Sequence, residues 1–483
     1  MHRQTRIRLA LLLASLAAFA GLTGLRAGDA PKQTGSSAEA PLARPAASAA
    51  VKAKPLTPSI EKALAYLAGQ QNQHGGWGQG GGWRNDLQGG GRIEGANVSD
   101  PPDVANTSAA ALALLRAGNT PREGKYAGNL VRAAEFLCAS IEKSDSKSLY
   151  VTDIRGTQVQ GKIGPYVDTF LAAMVLAELK GHMPDEKSEK RLVAALNKTI
   201  GKIEDNQKAD GTFAGNTAWA SVFSQGLASK GLNRASQAGG EVKQQSLVRA
   251  ENQAKDSFDP KSGTFMASKP PAAGGAGLGG AGAGLSELGG IKGSPGSGGI
   301  AGPAAGRAAT TAPAAGPSDA GVPIYTAGNS VAALQESVNT NRLQEKKARD
   351  ILAKPTSSKA DKDKAEADLK RFAEVENTCE QATHAVVKRL QDQQFIQGFG
   401  SNGGEEFLSY MNISETLVVK GGKDWASWDK SMIDNLTRIQ DKDGAWSGQH
   451  CITGKTFCTA TALLVLMADR APVPTVAKIK GGK

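Results

Sequence analysis

The sequence predicts an all-α fold in which about six helix pairs stack side by side. Two observations lead to this prediction. A turn of the form Gln, three residues, Gly, one residue, aromatic occurs at 71–77, 207–213 and 440–446. Each copy lies between a helix with one apolar face and a helix that is apolar on nearly every face. Because such pairs bury a continuous core only by stacking, we expect the buried helices to form an inner circle and the amphipathic helices an outer circle.

The outer helices are identified by stripes of apolar residues at three- and four-residue spacing. The first follows Thr57 and Pro58, an N-cap residue and a proline at the first helical position. It carries Ile60, Leu64 and Leu67 on one face. Equivalent stripes lead into the other two turns. Less regular outer helices are expected at 130–143, 241–257 and 381–394.

The inner helices are rich in small and apolar residues, which is typical of helices that are buried all round. They are expected at 106–118, 165–181, 216–231, 322–337, 405–419 and 456–468. In each turn the glycine suits a left-handed helix stop, and the aromatic residue can fold back onto its own outer helix. We therefore expect buried aromatic residues, and glutamines at the ends of the outer helices. The residues of this structural repeat are Gln71, Gly75, Trp77, Gln207, Gly211, Phe213, Gln440, Gly444 and Trp446.

The N-terminus predicts an export signal over residues 1–20. Basic residues within the first eight positions precede an apolar stretch at 9–25, and Ala18-Phe19-Ala20 is an A-x-A cleavage site. The expected location is therefore periplasmic or extracellular. An uncleaved membrane anchor is the alternative, because an apolar stretch of 17 residues nearly spans a bilayer.

Composition divides the rest of the chain. Residues 21–56 are rich in Ala, Pro and Ser and are expected to be a flexible tether. Residues 268–321 contain too much Gly, Ala and Pro to bury a core and are expected to be a disordered insertion. Residues 341–378 are dense in Lys, Glu and Asp and predict a charged helical hairpin, with a partly disordered spacer as the alternative. The stacked core then comprises 57–267, 322–340 and 379–475, and residues 476–483 form a tail.

Charge and cysteine content restrict the class of protein. The formal net charge is +11, but the basic residues are spread along the chain, which is typical of a solvated surface and does not indicate nucleic-acid binding. The four cysteines, Cys138, Cys379, Cys451 and Cys458, are too few for a disulfide framework in 483 residues. A disulfide between Cys451 and Cys458 and a set of mostly free thiols both stay open.

The repeated turn resembles the "QW" repeat of squalene and terpenoid cyclases. The copies at 71–77 and 440–446 match Q-x-x-x-G-x-W, and the copy at 207–213 has Phe213 in place of Trp. The β-subunits of protein prenyltransferases share the same α/α toroid. The resemblance covers about residues 57–475, apart from the two insertions, and implies a toroid whose site is the cavity at the wide end of the inner ring. It implies the fold more strongly than any activity.

Protonating cyclases carry D-x-D-D-T-A at the start of an inner helix, where one Asp is the general acid. The aligned positions here begin at Asp103, but the two later aspartates are replaced by Ala105 and Asn106. Asp100 and Asp103 remain as substitutes, but the favoured interpretation is that Asp103 or Asn106 caps the helix. At a solvent-facing helix start, Asp103 should ionise near pH 4. We therefore expect no cyclisation of squalene by protonation.

Other chemistry has weaker support. The zinc site of prenyltransferases needs an Asp-x-Cys pair, which this chain lacks, and the alternative set of His450, Cys451 and Cys458 fits no standard zinc spacing. No metal or cofactor is therefore expected. Paired carboxylates for carbohydrate cleavage exist only if some of Asp168, Glu405, Glu406 and Glu415 converge.

The expected function is that of an exported cyclase-like repeat protein that binds an isoprenoid, lipid or glycan in the ring cavity. Its alternatives are a non-catalytic scaffold and a carbohydrate-active lyase or hydrolase. The expected contact with a membrane is limited to an uncleaved N-terminal segment. The candidates for lining the cavity are Asn106, Tyr166, Trp219, Tyr325 and Tyr410.

Overall fold

Helices make up most of the structure, which confirms the predicted all-α class. A computed structural model describes residues 51–84, 91–94, 98–266, 321–392 and 403–472. The predicted export signal, most of the tether, nearly all of the Gly-rich insertion and the tail lie outside these residues. No helix within the described ranges has the length and hydropathy needed to cross a bilayer.

The helices alternate between two kinds, as the sequence predicts. Those with one solvent-facing side are α1 (Pro58–Gln70), α3 (Ala127–Lys143), α6 (Glu186–Asn206), α8 (Gln244–Asp256), α10 (Lys359–Arg389) and α12 (Gly422–Ile439). Those buried over most of their length are α2 (Val104–Arg116), α5 (Val167–Leu179), α7 (Ser221–Gln237), α9 (Val322–Ala353), α11 (Gly404–Lys420) and α13 (Lys455–Leu466). A short helix, α4 (Gln158–Lys162), precedes α5.

Two short antiparallel ribbons accompany the helices. Strand β1 (Trp83–Arg84) pairs with β2 (Gly91–Arg92), and β3 (Phe258–Asp259) pairs with β4 (Thr264–Phe265). A 3-10 turn at Ala468–Arg470 follows α13.

The buried helices contact one another in chain order. Helix α2 packs on α5, α5 on α7, α7 on α9, α9 on α11, α11 on α13, and α13 on α2. Most amphipathic helices lie across two consecutive buried helices; α3, for example, contacts α2 and α5, and α1 contacts α13 and α2. The last pair of the chain therefore packs against the first.

The aromatic residues of the repeated turns are buried, as predicted. Trp77 is 0% exposed, Phe213 4% and Trp446 1%. The indole nitrogen of Trp77 donates to the carbonyl oxygen of Leu67 in its own helix α1 at 2.6 Å, and Trp446 makes the same bond to Leu436 of α12 at 2.8 Å. The glutamines at 71, 207 and 440 are the C-cap residues of α1, α6 and α12.

Each glutamine also reaches the neighbouring amphipathic helix. The Gln71 side-chain amide donates to the carbonyl oxygen of Gly75 at 2.7 Å and to that of Asn129 in α3 at 2.9 Å. Gln440 bonds in the same way to its own turn and to the Ser59 carbonyl oxygen of α1 at 3.0 Å. This second bond joins the last amphipathic helix to the first.

The glycines of the turns are required by backbone conformation and by close packing. Gly75 has φ +87°, and a Cβ on it would lie 2.4 Å from the carbonyl oxygen of Arg132 in α3. Gly211 has φ +81°, and a Cβ added to it would lie 2.5 Å from the carbonyl oxygen of Arg249 in α8. A side chain at either position would strain the turn and push the next helix away.

The charged segment at 341–378 consists of the last part of α9 and the first part of α10, with a non-helical break at 354–358. Its base is attached to α8 by the buried carboxylate of Glu251. This carboxylate accepts a hydrogen bond from Asn341 at 2.7 Å and forms an ion pair with Arg371 at 2.7 Å. The long helix pair is therefore held firmly where it leaves the other helices.

Truncation of a turn tryptophan should destabilise the whole chain. Trp77→Ala and Trp446→Ala should each lower the free energy of unfolding by about 3–5 kcal/mol, because each removes a buried indole together with its hydrogen bond. Urea unfolding followed by circular dichroism measures this loss. Trp83→Ala is the matched control, since the Trp83 side chain is 47% exposed. Unfolding curves of the two buried variants that match the control would contradict the role of the turns.

Candidate functional site

The first turns of five buried helices, α2, α5, α7, α11 and α13, are linked by hydrogen bonds, directly or through α4 and the loops before them. We call this the helix-start face. Asp168 of α5 accepts from the backbone N–H of Ala105 in α2 at 3.0 Å. The backbone N–H of Thr453, just before α13, donates to the side-chain oxygen of Gln158 in α4 at 3.0 Å. The carbonyl oxygen of Lys162 accepts from the N–H of Ala220, the N-cap of α7, at 2.7 Å. Helix α4 thus lies among the starts of α2, α5, α7 and α13.

Asp103 is the N-cap residue of α2, and one of the two capping alternatives is thereby confirmed. Its carboxylate accepts from the backbone N–H of Asn106 at 2.8 Å and lies 3.4 Å from the guanidinium of Arg84. The expectation of a solvent-facing Asp103 is wrong, because the residue is fully buried. Burial and the nearby carboxylate of Asp168 raise the pKa of Asp103 to about 7.

Asp168 is also buried, and both of its oxygens are bonded to other helix starts. One accepts from Ala105, and the other accepts from the Gln160 side chain at 2.7 Å. Burial raises the pKa of Asp168. Gln160 completes a capping box with Thr157 at the start of α4. Asp103 and Asp168 therefore converge, but Asp103 caps its own helix and pairs with Arg84, whereas Asp168 connects α5 to the starts of α2 and α4.

Glu405 and Glu406 do not join this pair through any hydrogen bond in the described residues. Glu405 is fully buried, accepts from the backbone N–H of Ile452 at 3.2 Å, and has a pKa raised by burial. Glu406 is 3% exposed and accepts a hydrogen bond from the hydroxyl of Tyr410. Asp100, the remaining carboxylate candidate, accepts from two backbone N–H groups of the loop before β1.

Cys451 lies beside Glu405 on the helix-start face. Its Sγ is 2.8 Å from Nδ1 of His450, and its backbone has φ +62°. Burial and the negative charge of Glu405 raise the pKa of Cys451 to about 12. The thiol is thus protonated at neutral pH and is a poor nucleophile.

The three metal-ligand candidates do not assemble into a site. Cys458 is buried and donates to the carbonyl oxygen of Ile452 at 3.3 Å. Across the described residues, no group of three or more His, Cys, Asp and Glu side chains is arranged to hold a metal ion. All four cysteines are free thiols in this structure.

The cavity-lining candidates divide by exposure. Asn106, Tyr325 and Tyr410 are buried, and Tyr325 packs against the ring of Trp219 with centroids 6.0 Å apart. Tyr166 and Trp219 are half-buried and keep part of their rings at the helix-start face.

An ionic cluster lies between the later turns of the buried helices. Sequence reasoning missed the cluster and singled out only its member Glu415, as a possible catalytic carboxylate. We call it the central ion cluster. Its members are Arg116 of α2, Glu178 of α5, Lys230 and Arg234 of α7, Glu336 of α9 and Glu415 of α11. The sequence contained a signal for this cluster: isolated charged residues within segments that otherwise consist of apolar or small residues.

Arg234 is the centre of this cluster. Its guanidinium bonds to Glu336 at 2.8 Å, to Glu415 at 2.9 Å and to Glu178. Glu415 also forms an ion pair with Lys230 and lies 3.5 Å from the guanidinium of Arg116. Although burial opposes the charge, these three cations lower the pKa of Glu415 well below its ordinary value.

The central ion cluster leaves almost no space. The void lined by Lys230, Arg234, Glu336 and Glu415 has a volume of about 10 Å³, which holds at most one water molecule. Three positive side chains face three negative ones, so the charges balance without an added ion. Buried ions are tolerated only when they are paired in this way.

No protein-family model matches the chain, and no curated protein matches it. Any functional assignment therefore depends on the residues of the chain itself.

Removal of one carboxylate from the central ion cluster should be costly. Glu415→Gln keeps the shape of the side chain but leaves buried cations without their counter-charge, so we expect a loss of about 3–5 kcal/mol in unfolding free energy. Chemical denaturation measures it. Glu186→Gln, which removes an exposed partner of Lys190, is the control and should have little effect. Equal stability of the two variants would contradict the structural role of the cluster.

The buried pair of Asp103 and Asp168 should make stability depend on pH. A folded-state pKa above the unfolded value means that the folded chain holds the proton more tightly. The resulting stabilisation is complete below about pH 4 and is lost as the pH rises through about 7. The melting temperature should therefore fall between pH 5 and pH 8, and Asp103→Asn should reduce this fall because the amide stays neutral.

The control for this titration is Asp185→Asn. Asp185 is the N-cap residue of α6, and hydrogen bonds from Ser188 lower its pKa. Asp185→Asn should therefore leave the slope of melting temperature against pH unchanged between pH 5 and pH 8. A slope in Asp103→Asn as steep as that of the parent would show that Asp103 does not titrate in this range.

Proposed function

We propose that the chain is an exported α/α toroid of six helix pairs, similar in shape to the terpenoid cyclases. The order of helix contacts supports this architecture, because it follows the chain and returns from α13 to α2. The bond from Gln440 to Ser59 supports it independently among the amphipathic helices.

We further propose that this toroid is a ligand-binding scaffold and not a carbocation enzyme. The central ion cluster is the observation that carries this proposal. An isoprenoid between the buried helices would contact charged groups in place of an apolar wall, and it would have to separate buried ion pairs to enter. Ligand binding is then left to the helix-start face, where aromatic and polar side chains remain partly exposed.

The carboxylates of the helix-start face fit the same proposal. Asp103 has a raised pKa and is partly protonated at neutral pH, yet its oxygens bond to Asn106 and lie beside Arg84. Asp168 is bonded at both oxygens. Neither acid has an exposed edge that a substrate could reach. Asp103 caps α2 and pairs with Arg84, and Asp168 joins helix starts.

Incubation with squalene tests this proposal. Purified protein should yield no cyclic triterpene detectable by mass spectrometry, and Asp103→Asn should be indistinguishable from the parent. Turnover that disappears in Asp103→Asn would overturn the proposal and identify Asp103 as a general acid.

A further inference from the structure

Residues 51–57 form an irregular segment that leads into α1, and we call this segment the N-terminal strap. Val51 and Leu56 are partly buried and pack against the hydrophobic core. Thr57, at the end of the strap, is the N-cap residue of α1, where its side chain accepts from the backbone N–H of Ile60. The N-terminal strap is therefore part of the packed structure.

Lys54 is the residue that attaches the strap to the last helix pair. Its backbone N–H donates to the carboxylate of Asp469 at 2.8 Å, and its carbonyl oxygen accepts from the guanidinium of Arg470 at 2.5 Å. Both partners belong to the 3-10 turn that follows α13. The Lys54 ammonium bonds to both carboxylate oxygens of Asp429 in α12 at 2.6 Å and lies 5.8 Å from the ring centroid of Trp425. One residue thus connects the strap to α12 and to the end of α13.

The strap lies at the junction where the last helix pair meets the first. The bond from Lys54 to Asp469 joins residues 415 positions apart in the sequence. Earlier pairs follow one another along the polypeptide, but α13 is the last helix and α1 is the first. Closure between these two helices therefore depends on non-covalent contacts, and the strap supplies several of them.

Apolar packing at this junction is incomplete. Leu56 of the strap, Ile60 of α1, Ile433 of α12, and Leu466 and Met467 at the end of α13 line a void of about 50 Å³. A void of this size is large enough to hold water. Because side chains around a void lose contacts with one another, the polar bonds of Lys54 contribute a larger share of the attachment.

We propose that the N-terminal strap is a clasp that keeps α1 and α12 closed over the junction of α13 and α2; the inference rests on the proposed toroid. Helix α1 contacts both α13 and α2, so its departure would uncover both buried helices. The clasp opens when the ammonium of Lys54 separates from Asp429. Dissolved salt favours this separation, because the Lys54 side chain is 40% exposed and its ion pair is screened. Opening of one junction is a local event that costs less free energy than unfolding of the whole chain.

Hydrogen–deuterium exchange of Lys54→Met in the full chain tests the clasp. Methionine keeps an apolar stem of similar length but cannot bond to Asp429. We expect exchange to become about tenfold faster in α1 and α12, since one charge-assisted bond is lost, and to stay unchanged in α5 and α7. Lys430→Met is the matched control, because it removes an exposed ion pair with Asp434 on the same helix α12. This control should exchange as the parent does.

The salt dependence of exchange tests the clasp without any substitution. Raising the concentration of sodium chloride should accelerate exchange in α1 and α12 of the parent and of Lys430→Met. It should have little further effect on Lys54→Met, in which the ion pair is already absent. Circular dichroism at each salt concentration verifies that all three proteins remain folded.

Three results would overturn the inference. Exchange in α1 and α12 of Lys54→Met that equals that of Lys430→Met would show that Lys54 holds nothing closed. Acceleration spread evenly over α5 and α7 as well would show that Lys54 contributes only to global stability. Fast exchange in α2 and α13 of the parent would show that the junction is already open, and the toroid would fail together with the clasp. Failure of the clasp alone is therefore distinguishable, because α2 and α13 of the parent would then still exchange slowly.

Discussion

The fold depends on the turn of Gln, Gly and aromatic residue at the end of an amphipathic helix. In one short segment, the glutamine amide reaches the next amphipathic helix, and the glycine allows that helix to approach. The backbone N–H of the aromatic residue bonds to the following buried helix: Trp77 donates to the Thr107 hydroxyl of α2 and Trp446 to the Thr459 hydroxyl of α13, each at 2.9 Å. One local motif therefore positions three helices, which explains why it recurs far along the chain.

The central ion cluster and the helix-start face divide the buried helices into two regions. In the later turns, five helices contribute balanced charges that pair across the helices, so these helices are held in a fixed mutual register. At the first turns, carboxylates and amides join the helix starts, and aromatic rings remain partly accessible. The first region supplies rigidity, and the second provides the surface on which ligand binding is proposed.

Local patterns made much of the fold predictable. Apolar periodicity and the repeated turn identified the all-α class and the alternation of helix types, because both depend on neighbouring residues. The environment of Asp103 was predicted wrongly, since it includes Arg84 and Asp168, which the local pattern around residue 103 does not reveal. The central ion cluster was missed for the same reason: isolated charges at Arg116 and Glu178 become meaningful only when their helices meet. Helix α4 was overlooked although Thr157 and Gln160 form a capping-box signature.

Hydrogen–deuterium exchange of Glu415→Gln, compared with the parent, tests most directly whether the buried helices are held as one unit. The account predicts faster exchange in the later turns of all five helices that contribute to the central ion cluster, α2, α5, α7, α9 and α11, because one lost charge disturbs every partner. Faster exchange confined to α11 would contradict it, since the cluster would then be a set of independent ion pairs.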